Sequence, residues 1–145
     1  MTLYTIGFTG KSAEQFFTLL TENAVKCMLD VRLNNTNQLA GFTKRDDLRF
    51  FLSRVAGIDY LHLPQFAPSV ELLKGYIGNS LDWGNYERGY LTLLSDRDAL
   101  AFVDPSIFDG GCLLCSEAMP EHCHRRLLAE FVANCVPDVH IMHLQ

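Results

Sequence analysis

Short runs of β-branched, aromatic and aliphatic residues alternate along this chain with stretches in which apolar residues return every three or four positions. The first pattern fits strands and the second amphipathic helices. Residues 3–7 predict a first strand that turns at Gly7 and Gly10. Ser12, with Gln15 three positions on, reads as a capping box, and Phe16, Leu19 and Leu20 give the helix an inward face that ends near Asn23. Residues 27–31 form a second strand. A helix through Leu48, Phe51, Leu52 and Val55, opened near Thr43 and closed by Gly57, leads to a third strand over 59–63 that Pro64 ends. Residues 33–43 are polar, rich in Asn and without period, as expected of a loop over the rim of a sheet. Residues 64–84 are irregular apart from a short helix around 70–76, and residues 85–94 carry Tyr86, Tyr90, Leu91 and Leu94 at helical spacing. Pro137 precedes a last strand over 139–144.

The densest chemistry lies between these elements, in residues 110–126. Residues 111–115 are an apolar run behind a Gly pair, as in a strand buried on both faces. Pro120 suits the first position of a helix, and Glu121 sits well against its positive end. From there His124, Leu127, Leu128, Phe131, Val132 and Cys135 form an inward stripe. Cys115, Glu117, Cys123 and His124 are thereby drawn to the carboxyl end of a strand and the amino end of the next helix. In open parallel sheets that rim binds ligands. The free amides of the helix start, with Arg125 and Arg126 nearby, favour an anion.

Five strands alternating with helices predict an α/β fold: one three-layer domain over residues 1–145, with a mainly parallel five-stranded sheet and helices on both faces. The 145 residues, 48% hydrophobic, suffice for one continuous core. Twelve Lys and Arg against 17 Asp and Glu give a net charge of -5, which argues against broad attraction to duplex nucleic acid or anionic membrane. There is no charged-then-apolar leader and no apolar run of roughly 20 residues, so a cytoplasmic protein without a membrane span is expected. Five cysteines, an odd number in apolar contexts, argue against a disulfide scaffold.

The pattern Cys115-Ser116-Glu117, five residues, Cys123-His124-Arg125 resembles the signature of the domain of unknown function 488 family. Members are similar in opening with a Thr-Ile-Gly strand and in placing Asp-Val-Arg after the second strand, here Thr5-Ile6-Gly7 and Asp30-Val31-Arg32. The resemblance covers almost the whole chain. It implies a compact α/β fold with a shared rim site and no settled reaction. The chain departs from the pattern at Phe8-Thr9, where the family usually has His-Ser, and at residues 64–68, where a Gly-rich stretch is common.

Several chemistries fit the rim. Asp30 and Arg32 leave the second strand on one side, and a carboxylate there needs a partner: either they pair and fix the turn, or they bind a ligand. His62, between leucines, is either a satisfied core residue or a functional one. Cys112 and Cys115 have the spacing of a zinc knuckle, but strand residues three apart face opposite ways. No metal site is therefore assigned, although Cys115, Cys123 and His124 leave a catalytic metal open. Cys123 and Cys115 are rival reactive thiols, with His124 as base, or else small apolar fillers. Glu117 suits a general acid or base oriented by His124 beside a phosphate or carboxylate held by Arg125, or else a cap for the following helix.

Two classes of function follow. One is an enzyme performing hydrolysis or group transfer on a nucleotide or other phosphorylated small molecule. Its catalytic candidates are Glu117, His124, Cys115 and Cys123, and its candidates for holding the ligand are Asp30, Arg32, Arg125, Gly7 and Thr9. The other is a non-catalytic domain that binds such an anion or a protein partner. No residue pattern names a cofactor, a substrate or an oligomeric state.

Overall fold

The computed structural model describes residues 1–36 and 41–145. Five strands, β1 (Thr2–Gly7), β2 (Cys27–Asp30), β3 (Asp59–His62), β4 (Gly111–Cys115) and β5 (His140–Leu144), form one sheet in the order β3-β2-β4-β1-β5. Every pairing is parallel, which sharpens the expected mainly parallel sheet. β4 lies in the middle, between β2 and β1, and each of its five residues is buried. That is why its sequence is a continuous apolar run. The edge strands β3 and β5 instead alternate buried or half-buried with exposed residues.

The helices are α1 (Ala13–Glu22), α2 (Arg45–Phe51), α3 (Val70–Ile77), α4 (Trp83–Asp96) and α5 (His124–Cys135). They divide between the two faces, as two separate groups of buried side chains show. Phe16, Phe17 and Leu20 of α1 and Leu48 of α2 pack with Ile6, Met28, Cys112 and Leu114 on one face. Tyr86, Tyr90 and Leu94 of α4 and Leu127, Leu128 and Val132 of α5 pack with Leu3, Leu29 and Leu113 on the other. Adjacent residues of β4 thus serve opposite layers, as the period of two requires.

Local signals held at α1, where Ser12 and Gln15 form both bonds of a capping box and Asn23 is the C-cap. After α2 a π-helical turn, Leu52–Ala56, runs to Gly57 at φ 64°, a left-handed conformation that suits glycine. Part of the expected rim loop, residues 37–40, lies outside the described residues; Gly41–Thr43 form a 3₁₀ turn.

The last crossing departs from expectation. α5 begins at His124, so Pro120 precedes the helix and Cys123 is its N-cap residue, in extended backbone with no side-chain cap bond. Residues 116–123 form a turn-rich loop instead, because the Arg125 side chain folds back onto the carbonyls of Glu117 and Ala118. The inward stripe also shifts: Leu127, Leu128 and Val132 are buried, Phe131 is half-buried and Cys135 is exposed.

Candidate functional site

The carboxyl ends of β1, β2 and β4 meet at one rim, and two buried arginines dominate it. Arg32, just beyond β2, is 4% exposed and Asp30 is fully buried. Arg32 Nε donates to Asp30 Oδ1 at 2.8 Å and Nη2 to Oδ2 at 2.9 Å, a two-pronged ion pair. The Arg32 backbone N–H, Asn35 and the Tyr60 hydroxyl also donate to this carboxylate. Burial would raise the Asp30 pKa, but the Arg32 hydrogen bonds and charge, with Tyr60, outweigh it and hold the carboxyl below its usual range. Asp30 is committed to orienting Arg32. One atom is left over: Arg32 Nη1 is buried with no hydrogen-bond partner among the described residues.

Arg125 is fully buried in the first turn of α5. Nη1 donates to the Glu117 carbonyl and lies 3.1 Å from Cys115 Sγ and 3.9 Å from Cys123 Sγ. Nη2 donates to the Ala118 carbonyl, and Nε donates to Thr5 Oγ1 at 3.3 Å. The Thr5 hydroxyl in turn lies within hydrogen-bond distance of His143 Nδ1, at 2.6 Å. Among the described residues no carboxylate forms an ion pair with Arg125. Gly7 makes this packing feasible, because a Cβ there would overlap the Glu117 carbonyl oxygen and the guanidinium. Arg126 points elsewhere, bonding Glu130 at 2.9 Å and the Glu121 carbonyl.

Beside Arg125 the sulfurs of Cys115 and Cys123 are in contact, with their Cα atoms 7.7 Å apart. One nitrogen of His124 completes a group whose three donor atoms lie within 4.8 Å of one another. His124 Nε2 sits 2.9 Å from the Val31 carbonyl, which can only accept, so this nitrogen carries the proton and Nδ1 keeps its lone pair. Burial lowers the His124 pKa to about 4, against a smaller upward pull from that hydrogen bond, so the ring is neutral at pH 7. Cys112, three residues before Cys115, stays in the α1 and α2 layer, and burial pushes its thiol far up.

These groups open onto a cleft of about 850 Å³ lined by Arg32, Cys115, Glu117, Cys123 and His124 on one side and by Tyr76, Trp83, Tyr86 and His122 on the other. The aromatic wall is a run of ring contacts: His122 stacks on Trp83 at 4.8 Å, Trp83 on Tyr86 at 5.3 Å, and Tyr90 meets His124 edge-on at 5.6 Å. Another hollow, about 480 Å³, lies between α1 and α2 around Phe17, Phe42 and Val55 and holds none of the candidate site residues.

Of the sequence candidates, Glu117, His124, Cys115, Cys123 and Arg32 line the cleft. Asp30 and Arg125 stand behind it as positioning groups. Gly7 and Thr9 do not line it: Gly7 makes room for Arg125, and the Thr9 N–H donates to the Ser116 carbonyl at 3.0 Å. His62, at the end of edge strand β3, is half-buried and away from the cleft lining. Sequence reasoning did not single out Tyr76, Trp83 and His122 for the site and left Trp83 in the irregular stretch; the three- and four-residue spacing of Trp83, Tyr86 and Tyr90 is the signal that could have found this aromatic helix face.

The family model for a domain of unknown function, DUF488, matches residues 12–132, most of the chain. The chain belongs to the DUF488 family. No curated protein and no solved structure is significantly similar to it. The DUF488 match spans both motif segments of the rim, residues 30–32 and 115–125, and ends within α5. No helix among the described residues is long and apolar enough to cross a membrane.

Proposed function

We propose that this DUF488 protein binds a small molecule joining an anionic oxygen group to a flat ring, a nucleotide or a similar phosphorylated compound, and performs hydrolysis or group transfer on it. The observation that carries this reading is Arg32 Nη1: a buried guanidinium N–H on the cleft wall that lacks an acceptor is costly unless a ligand supplies one. Its partner Asp30 already holds the other prongs, so the fork is aimed before any ligand arrives. The cleft lining also holds Trp83 and the exposed His122, whose stacked rings suit a planar heterocycle. Glu117, exposed at the cleft edge, is the acid or base of this reading, and the Cys115, Cys123 and His124 group stands beside the place where reacting atoms would lie.

The test is binding by titration calorimetry with nucleoside monophosphates, diphosphates and inorganic phosphate, on the wild type and on Arg32→Lys. Lysine keeps a charge for Asp30 but cannot reproduce the planar fork. The expected result is saturable nucleotide binding that weakens roughly tenfold or more in Arg32→Lys, a loss of about 1.4 kcal/mol. Equal affinity in both proteins would remove Arg32 as the anchor. For the reaction, Glu117→Gln should abolish turnover found in a phosphorylated-metabolite screen while leaving binding intact. If Glu117→Gln and His124→Ala both keep full activity, the non-catalytic reading of the cleft replaces this one.

A further inference from the structure

We infer that Cys115, Cys123 and His124 hold a zinc ion whose fourth coordination position opens to the cleft. This deepens the reading above, since it places a metal centre in the same cleft. Three observations carry it. Two sulfurs and an imidazole nitrogen converge within 4.8 Å, the clustering that a tetrahedral thiolate and imidazole site needs. The Cα atoms of the two cysteines are 7.7 Å apart, beyond the span a disulfide bridges without backbone movement, whereas two thiolates sharing one ion have no such limit. And His124 is prepared as a ligand: Nε2 donates to the Val31 carbonyl, which fixes the tautomer and leaves Nδ1 as the donor, the outer-sphere arrangement common to metal-bound histidines.

Charge points the same way. Among the described residues no carboxylate forms an ion pair with the buried Arg125, and it directs Nη1 at Cys115 Sγ. A thiolate is the natural counter-ion, and N–H bonds to a metal-bound sulfur are compatible with ligation. Two thiolates, a dication and the guanidinium together leave one positive charge uncompensated, which favours an anion in the fourth position. With three protein ligands the site has the form of catalytic rather than structural zinc. The spacing of Cys115 and Glu117 adds a role: a carboxylate two residues beyond a ligand, itself not a ligand and lining the cleft, can accept a proton from a bound water. One imidazole and two thiolates as ligands, with a glutamate that is not a ligand beside them, also make up the zinc site of nucleobase deaminases.

The experiment is metal analysis by inductively coupled plasma mass spectrometry on full-length protein purified under reducing conditions, with neither metal nor chelator added. The expected content is about one zinc per chain. It should fall roughly tenfold or more in Cys123→Ser and His124→Ala and stay full in Cys135→Ser, an exposed cysteine outside the group. Should a ligand variant fail to fold, cobalt exchanged into the wild type gives a second readout, with thiolate-to-cobalt charge-transfer absorption expected. Folded wild-type protein that carries no zinc and takes up no cobalt would overturn the inference, as would zinc retained in full by folded Cys123→Ser and His124→Ala. These measurements involve no nucleotide. Zinc without Arg32-dependent binding defeats only the proposed function, and Arg32-dependent binding without zinc defeats only the metal.

Discussion

Arg32, two residues beyond β2, and Arg125, ten residues beyond the neighbouring β4, are both buried, yet they are partnered in different ways. Arg32 meets a dedicated carboxylate through a two-pronged contact and still has one N–H to give. Arg125 meets two carbonyls, a hydroxyl and the sulfur of Cys115. The first arrangement spends the charge inside the protein and exports a directed hydrogen bond. The second exports charge to the thiols and uses its hydrogen bonds to shape the loop of residues 116–123. A buried cation thus keeps a spare N–H or organises a loop according to what its neighbours accept.

The largest effect that can break this contrast comes from the Arg125 side. Gly7→Ala puts a Cβ into the Glu117 carbonyl oxygen and the guanidinium, with backbone on one side and a trapped side chain on the other. The expected loss is on the order of 4 kcal/mol or more in urea denaturation. A loss under 1 kcal/mol would show that Arg125 can leave its place freely. On the Arg32 side, Asp30→Ala strands a buried guanidinium and should cost about 3–5 kcal/mol, measured in the same way.

A third prediction concerns pH. The His124 pKa is depressed from 6.5 to about 4 in the folded protein, so folding favours the neutral ring. That contribution is fully present above pH 6.5 and is lost as pH falls through the folded value near 4. In protein stripped of metal it amounts to on the order of 2 kcal/mol between pH 7.5 and pH 5, and His124→Gln should flatten the profile in that window. The depressed Asp30 pKa acts lower, with stability lost as pH falls below the ordinary carboxylate range. The smallest effect serves as calibration. Ser12→Ala removes the α1 cap, should cost about 1 kcal/mol, and should leave nucleotide affinity and metal content unchanged, as expected of a residue outside the cleft lining.

What the sequence disclosed and what it withheld divide along the same line. Features fixed by neighbours in the chain were legible: the capping box at Ser12, the closing Gly57, the continuous apolar run of β4, and the gathering of Cys115, Glu117, Cys123 and His124 at one crossing. Features fixed across the fold were not. Pro120 carries a sound helix-start signal, yet the helix waits for His124 because Arg125 takes up carbonyls that an earlier start would have turned into the helix. Apolar periodicity placed Cys135 inward and gave no reason to bury Arg125, because it cannot foresee that Gly7, far away in the chain, leaves a hole of guanidinium shape. Whether Asp30 paired with Arg32 or served a ligand stood as an alternative in the sequence. The geometry shows the pairing, with the carboxylate held by Arg32 and one arginine nitrogen left without an acceptor among the described residues.

The aromatic wall has a practical consequence. Trp83 is the chain's single tryptophan, so its fluorescence comes from this one place, beside His122 and at the mouth of the cleft. A molecule docking against those rings would change the emission directly. The protein therefore carries its own optical gauge, able to follow occupancy in real time without a label.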